Sequence, residues 1–213
     1  MSLLTKYAPT KLSELVLPAN KSDKMLIETL IEKNAFPYSG LLLASPNGGS
    51  GKSAAVSVIA ENPYWQVFNA KSLQIGIDDL LNLQDIISLV PLFGEKHLVI
   101  IEEISESSKN FRLGLRRLMD NYGSNAFFLF TDNNPSKLVS ETPQVFDNQR
   151  VFNMDYSLLD VNMLQQRVMK IITAEKPEIF ADSEKMAEIG KLIKRNRNSI
   201  RSIIAGIDII INQ

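Results

Sequence analysis

An α/β protein, with a parallel sheet covered on both faces and a small helical part after it, is the fold class that three features of the sequence predict. Short apolar runs alternate with helix-patterned segments as far as Asp155. SGLLLAS and KHLVIIEE hold continuously apolar rather than alternating runs, which suits buried strands of a parallel sheet. Beyond Asp155, three helix-patterned segments follow with no such run between them.

Taken in order, residues 1–20 read as an extended arm carrying Pro9 and Pro18. KSDKMLIETLIEKN has helical spacing, with Met25, Leu26, Thr29 and Leu30 expected on one side. SGLLLAS is the first strand, ended by Pro-Asn-Gly-Gly, and GKSAAVSVIAEN is the helix after it. YWQVFNA, KHLVIIEE, NAFFLFTDNN and QRVFNMD are the next four strands. IDDLLNLQDIISLV and SSKNFRLGLRRLMDNYG are the intervening helices. LLDVNMLQQRVMKIITAEK, DSEKMAEIGKLIKRN and NSIRSIIAGIDIIINQ then read as three helices, with Asp182 and Asn198 as N-caps of the last two. The change of pattern predicts a domain boundary near residue 156, giving parts 1–156 and 157–213.

Composition narrows the function. The 213 residues are 45% hydrophobic, enough to bury a sizeable core. Lys and Arg number 23 against 24 Asp and Glu, so a strongly basic nucleic-acid binder is not indicated. Cysteine is absent, which excludes disulfides and thiolate metal sites, and His97, the single histidine, stands alone before a strand, which argues against a histidine-based triad or zinc site. No signal peptide and no apolar run of about eighteen residues is present, so a soluble, cytoplasmic protein without a membrane partner is expected.

The stretch LLLASPNGGSGKSAAV, Leu41 to Val56, carries the first chemical signal. A phosphate cradle needs glycines where the chain bends, a helix beginning at the bend, a lysine for the β and γ phosphates and a hydroxyl for Mg²⁺. Gly48, Gly49 and Gly51 supply the backbone, and Lys52 and Ser53 the charge and the hydroxyl. Pro46 stands where the usual pattern G-x-x-x-x-G-K-[ST] begins with glycine. A glycine-rich turn with an exposed lysine is the alternative.

Glu102 and Glu103, after the apolar run of KHLVIIEE, give an independent signal. An ATPase of this kind needs one carboxylate near the metal and another to polarise the attacking water, at the end of a neighbouring buried strand. A solvated strand end is the bland alternative. At the end of FFLFTDNN, Asn133 is the candidate for orienting that water and Thr131 the reserve, although Asn-Asn-Pro is also an ordinary turn.

In this combination and order the motifs resemble the AAA+ ATPases. They are most similar to clamp-loader subunits: the small subunits of replication factor C and their T4-like phage counterparts. TKYAPTKLSELVLP resembles the family's N-terminal arm, SPNGGSGKS its phage-type phosphate loop, LRRLMDNYGSNAFFLFTDNNPSKLV its central helix and sensor-1 strand, and NRNSIRSII its sensor-2 helix. The resemblance covers nearly the whole chain and is specific in combination rather than motif by motif.

It implies a subunit that binds and hydrolyses ATP with Mg²⁺, in a ring with other clamp-loader subunits, acting on a sliding clamp and on primed double-stranded DNA through its backbone. Tyr7, Pro9, Leu17 and Pro18 would wall the adenine. Asn47, Gly48, Gly49, Ser50, Gly51, Lys52, Ser53 and Ala54 would hold the phosphates, with Ser53 and Glu102 on the metal. Glu103 would be the general base, Asn133 sensor 1, and Arg201 the lid arginine at the γ-phosphate. If phage-encoded, the protein would act in the bacterial host cytoplasm.

Four departures from the family stand out. Ala8 replaces the arm's arginine and Glu102 the Walker B aspartate. TPQVFDNQRVF lacks the family's arginine finger at the expected place, with Arg150 two or so residues late. The chain stops at Gln213, where the family continues into a helical collar. Two other functions therefore stay open, a nucleotide-binding subunit with poor hydrolysis and a different AAA+ remodeller such as a helicase loader.

Lys109, Arg112 and Arg116 are spaced by three and four on the central helix, with Arg117 beside them. They read as a phosphate-tracking stripe or as a solvated face. Lys191 to Arg201 is the densest basic run and reads first as a solvated helix end. Tyr64, Trp65 and Phe68 read as packing.

Overall fold

In the computed structural model, which describes residues 2–69, 77–147 and 149–212, five parallel strands form one sheet in the order β2-β3-β4-β1-β5. They are β1 (Gly40–Ala44), β2 (Trp65–Asn69), β3 (Lys96–Ile101), β4 (Ala126–Asp132) and β5 (Val151–Asp155), as the apolar runs predict. Ala70, the last residue of the predicted second strand, lies outside the described residues.

The crossovers are helical: α3 (Lys52–Ala60), α4 (Ile77–Ser88), α5 (Lys109–Tyr122) and the short α6 (Pro135–Glu141). Before the sheet come α1 (Leu3–Lys6) and α2 (Lys21–Lys33), and after it α7 (Val161–Glu175), α8 (Ser183–Arg195) and α9 (Ile200–Asn212). A 3₁₀ segment, Pro177–Ala181, joins α7 to α8.

Burial on both faces explains the unbroken apolar runs. All of β1 and β4 is buried. Leu41, Leu43, Ile100 and Phe127 belong to one apolar cluster, whereas Leu42, Val99, Ile101, Phe128 and Phe130 belong to the other. The first cluster runs on into the helices after the sheet through Leu164, Val168, Ile171, Ile203 and Ile207. The second is closed by Phe111, Leu115 and Met119 of α5.

Several local expectations are corrected. The N-terminal arm is not wholly extended, because Ser2 caps a short helix at the N–H of Thr5 and a 3₁₀ turn spans Leu12–Glu14. In α2 the inward residues are Asp23, Ile27 and Leu30, whereas Met25 is 57% exposed. Asp182 caps α8 as expected, accepting from the N–H groups of Glu184 and Lys185. At α9 the cap is buried Ser199 rather than Asn198, since Ser199 Oγ accepts from the N–H of Ser202.

The register fixes what meets at the sheet's carboxyl edge. Ala44 pairs with Asp132 and with Asp155, and Ile101 pairs with Phe130. The residues after β1, β3 and β4 therefore emerge side by side, at the edge where parallel sheets present their ligand sites.

Candidate nucleotide site

The loop after β1 is braced by its own polar groups. Buried Ser45 Oγ accepts from the N–H of Asn47 at 3.1 Å and donates to its carbonyl at 3.2 Å. Asn47 thus shapes the loop without lining the cavity beside it. Gly49 and Gly51 have φ of 78° and 101°, a left-handed conformation that a side chain disfavours. Gly51 stands at the N-terminus of α3, so unpaired N–H groups and the positive end of the helix dipole face the cavity.

Lys52 is buried with 7% exposure. Its Nζ donates to Asn133 Oδ1 at 2.9 Å and lies 3.4–3.5 Å from the carbonyls of Ser45 and Asn47 and from Ser50 Oγ. All of these are uncharged oxygens. Burial lowers the pKa of Lys52, opposed by the charges of Asp132 and Glu103. A desolvated ammonium among neutral acceptors is suited to a polyanion.

Glu102 and Glu103 both line this cavity. Glu103 has φ 52° and ψ 50°, a left-handed conformation unusual outside glycine, and strain of that kind gathers at functional sites. Its N–H donates to Thr131 Oγ1 at 3.2 Å, so the reserve candidate Thr131 holds the backbone of Glu103. Asn133 Nδ2 donates to Glu103 Oε1 at 3.4 Å. Asn133 therefore touches both the lysine and the carboxylate.

Sequence reasoning missed Asp132, which is fully buried. It accepts from the N–H of Ser105 at 2.6 Å and from that of Asn134, tying the turn after Glu103 to the end of β4. Its signal was a carboxylate closing the seven-residue strand β4, passed over because only Asn133 and Thr131 were weighed at that strand's end.

The cavity has a volume of ≈ 320 Å³. It is lined by Gly48, Gly49, Ser50, Gly51, Lys52, Ser53 and Ala54 of the loop and by Tyr7, Ala8 and Pro9 of the arm. Leu17 and Pro18 do not line it; Leu15 and Val16 do. Pro18 instead forms a bridge with Leu159, and Leu17 O accepts from the N–H of Asp160 at 3.0 Å, which draws both into the core. Tyr7 Oη donates to Glu175 Oε1 at 2.5 Å, fixing the arm to α7.

Arg201 lines the cavity from α9, and its N–H donates to the carbonyl of Gly49 at 3.2 Å. A Cβ at Gly49 would lie 2.7 Å from Arg201 Cβ and 2.8 Å from Ser199 Oγ. Gly49→Ala is accordingly expected to destabilise the fold by about 1–3 kcal/mol and to weaken phosphate binding. Chemical denaturation with and without ATP measures both effects.

Comparison with known proteins bears on this arrangement. No family model matches the chain. It is 25% identical over 150 residues to the replication factor C small subunit of Aeropyrum pernix, covering 65% of this chain and 44% of that protein. It is 22% identical over 181 residues to replication factor C subunit 5 of Arabidopsis thaliana, covering 80% and 46%. The chain thus spans less than half the length of these curated relatives. The Thermotoga maritima RuvB Holliday junction branch migration motor superposes with a TM-score of 0.55 at 14% identity, over 96% of this chain and 72% of that one. A variant of the same motor gives 0.54.

This is an AAA+ fold.

Two features of this chain depart from sequence expectation. Arg112 is not part of an exposed basic stripe, because it is 1% exposed. Its Nη1 donates to the carbonyls of Ser105 (3.1 Å) and Ser107 (2.5 Å), and its Nη2 pairs with Glu141. Lys109, Arg116 and Arg117 remain exposed on α5. Arg150, the substitute considered for an arginine finger, is held within the chain. Its Nε donates to Asp120 and its Nη1 to Asp147, each at 2.6 Å. The hydrogen bond to Asp120, with the charges of both carboxylates, raises its pKa. Asn148 of the same stretch lies outside the described residues.

Proposed function

We propose that the protein binds ATP with magnesium and hydrolyses it, as one subunit of a ring that loads a sliding clamp onto primed double-stranded DNA. The observation that carries the chemical part is Asn133, hydrogen-bonded at once to the buried Lys52 and to Glu103 beside the glycine loop. The likeness to replication factor C subunits supports the rest.

In this reading the N–H groups at the start of α3 and the Lys52 ammonium bind the β and γ phosphates and stabilise charge developing between them. Glu103 takes a proton from the attacking water, and Asn133 fixes the position of that carboxylate. Arg201 reaches the γ-phosphate from α9, so residues 157–213 act as a lid on residues 1–156.

The donors near the loop fit a magnesium ion. Ser53 opens α3 with a hydroxyl and Glu102 lines the same cavity with a carboxylate, both hard oxygen donors. Among the described residues no cluster of three or more His, Asp or Glu is placed to hold a metal. That suits an ion that draws most of its ligands from phosphate and water. When bound, its chemistry is to neutralise charge on the phosphates.

A surface for the clamp is available. Leu89, Val90, Leu92 and Phe93 are 66–83% exposed in the loop between α4 and β3. The backbone beneath them is tied down from several sides. His97 Nε2 and Asn125 Nδ2 donate to the carbonyl of Leu89, and Gln66 Oε1 accepts from the N–H groups of Leu92 and Phe93. Apolar side chains displayed on an immobilised backbone are suited to insertion into a partner's pocket. Phe93→Ser is expected to weaken clamp binding by about tenfold or more without loss of thermal stability. Titrating labelled clamp in ATP checks this.

A nucleotide-binding subunit with poor hydrolysis is the second reading, favoured by the engagement of Arg150 with Asp120 and Asp147. Steady-state turnover with and without clamp and primed DNA separates the two. Stimulation by both together supports the first. Tight ATP binding with negligible turnover throughout supports the second, and no ATP binding removes both.

A further inference from the structure

Arg167 of α7 has no part in the chemistry above, yet it lines the same cavity and touches the arm there. It is 8% exposed. Its Nη2 donates to the carbonyl of Tyr7 at 2.5 Å, the one hydrogen bond its guanidinium makes among the described residues. Nε is buried without a partner. Glu14 is close enough to feel the charge, but its carboxylate accepts from the N–H and hydroxyl of Thr10 instead.

A guanidinium carries several N–H donors and no acceptor. Leaving the Nε–H unmet below the surface is costly, so the group is poised for an acceptor that enters the cavity. The lining also includes the apolar side chains of Pro9, Leu15, Val16 and Ile204. A cavity that combines apolar walls, a glycine loop and a guanidinium with an unmet donor beside the arm is suited to a nucleotide whose flat heteroaromatic base carries ring-nitrogen acceptors.

We propose that Arg167 reads the base of the bound nucleotide, donating to a ring nitrogen of a purine. This rests on the nucleotide reading of the site and adds the residue that sets base preference. Arg167 also holds the carbonyl of Tyr7, so the same side chain joins the base to the arm that walls it.

Calorimetric titration tests this with ATP, with its 1-deaza, 3-deaza and 7-deaza analogues, with 2′-deoxy-ATP and with inorganic tripolyphosphate. For the unmodified protein, one deaza analogue is expected to bind about tenfold or more weakly than ATP. In Arg167→Met, ATP should weaken by a similar factor, that analogue should lose its penalty, and tripolyphosphate affinity should be unchanged. Equal affinity of the unmodified protein for ATP and all three deaza analogues overturns the proposal without recourse to any variant. So does a penalty confined to 2′-deoxy-ATP, or a loss in Arg167→Met that is equal for ATP and tripolyphosphate. Lys52→Ala is the separate control. If it leaves ATP and tripolyphosphate affinity unchanged, the nucleotide reading itself falls. If it weakens both while the deaza series stays flat, the assignment of Arg167 alone falls.

Discussion

Replacing Glu103 with Gln should leave ATP affinity nearly unchanged and lower the turnover rate by about two to three orders of magnitude. The substitution keeps the size of the side chain and its hydrogen bond to Asn133 and removes only the ability to take a proton. The left-handed backbone at Glu103 is braced by Thr131 Oγ1, which sets the direction in which the side chain leaves the chain, and Asn133 Nδ2 meets its carboxylate. Glu102→Gln provides the contrast. In the proposed roles it should raise the magnesium concentration needed for half-maximal turnover, with a smaller effect at saturating magnesium. Single-turnover hydrolysis across a magnesium series distinguishes the two. Unchanged turnover in Glu103→Gln would remove Glu103 from the chemistry.

Lys52→Met has an expected effect of opposite sign on stability and on binding. ATP affinity should fall by about a hundredfold or more, because the ammonium makes charge-assisted bonds in a desolvated site. Without nucleotide the variant should unfold at a higher temperature than the unmodified protein, since a buried cation among neutral oxygens is replaced by an apolar chain of similar length. The lowered pKa of Lys52 adds a pH signature. Folded protein should lose ATP affinity as pH rises through the lowered pKa, and stability without nucleotide should improve from there up to the ordinary lysine range, where the unfolded chain still holds the proton that the folded one has lost. Differential scanning calorimetry with and without ATP reads both signs. A variant that is less stable without nucleotide would show that Lys52 serves the fold.

What could be read from the sequence was what depends on local pattern. Five apolar runs became five strands, and the glycine spacing before Lys52 became a loop with two left-handed residues, because both follow from neighbouring residues alone. What depends on distant pairing was illegible. Leu17 and Pro18 leave the cavity because they pair with Asp160 and Leu159. Asp132 becomes structural because the N–H of Ser105 reaches it from the adjoining strand's turn. Arg112 was assigned to the surface by charge, although Leu115 and Met119 at three and seven residues beyond share its inward face of α5. Helical spacing says which residues are neighbours, but whether a charge among them can be buried depends on partners elsewhere, here Glu141 and two carbonyls.

The bond from the N–H of Arg201 to the carbonyl of Gly49 gives the last helix a pivot. Thirteen residues of α9 make a rod about 20 Å long. Tilting that rod by about 10° about its loop-side end swings the far end by about 3 Å, close to the separation at which apolar atoms gain or lose contact. Ile209, 61% exposed near that far end, would travel with it. A displacement of a few tenths of an ångström beside a phosphate is thus geared up to a step that a neighbouring surface can feel.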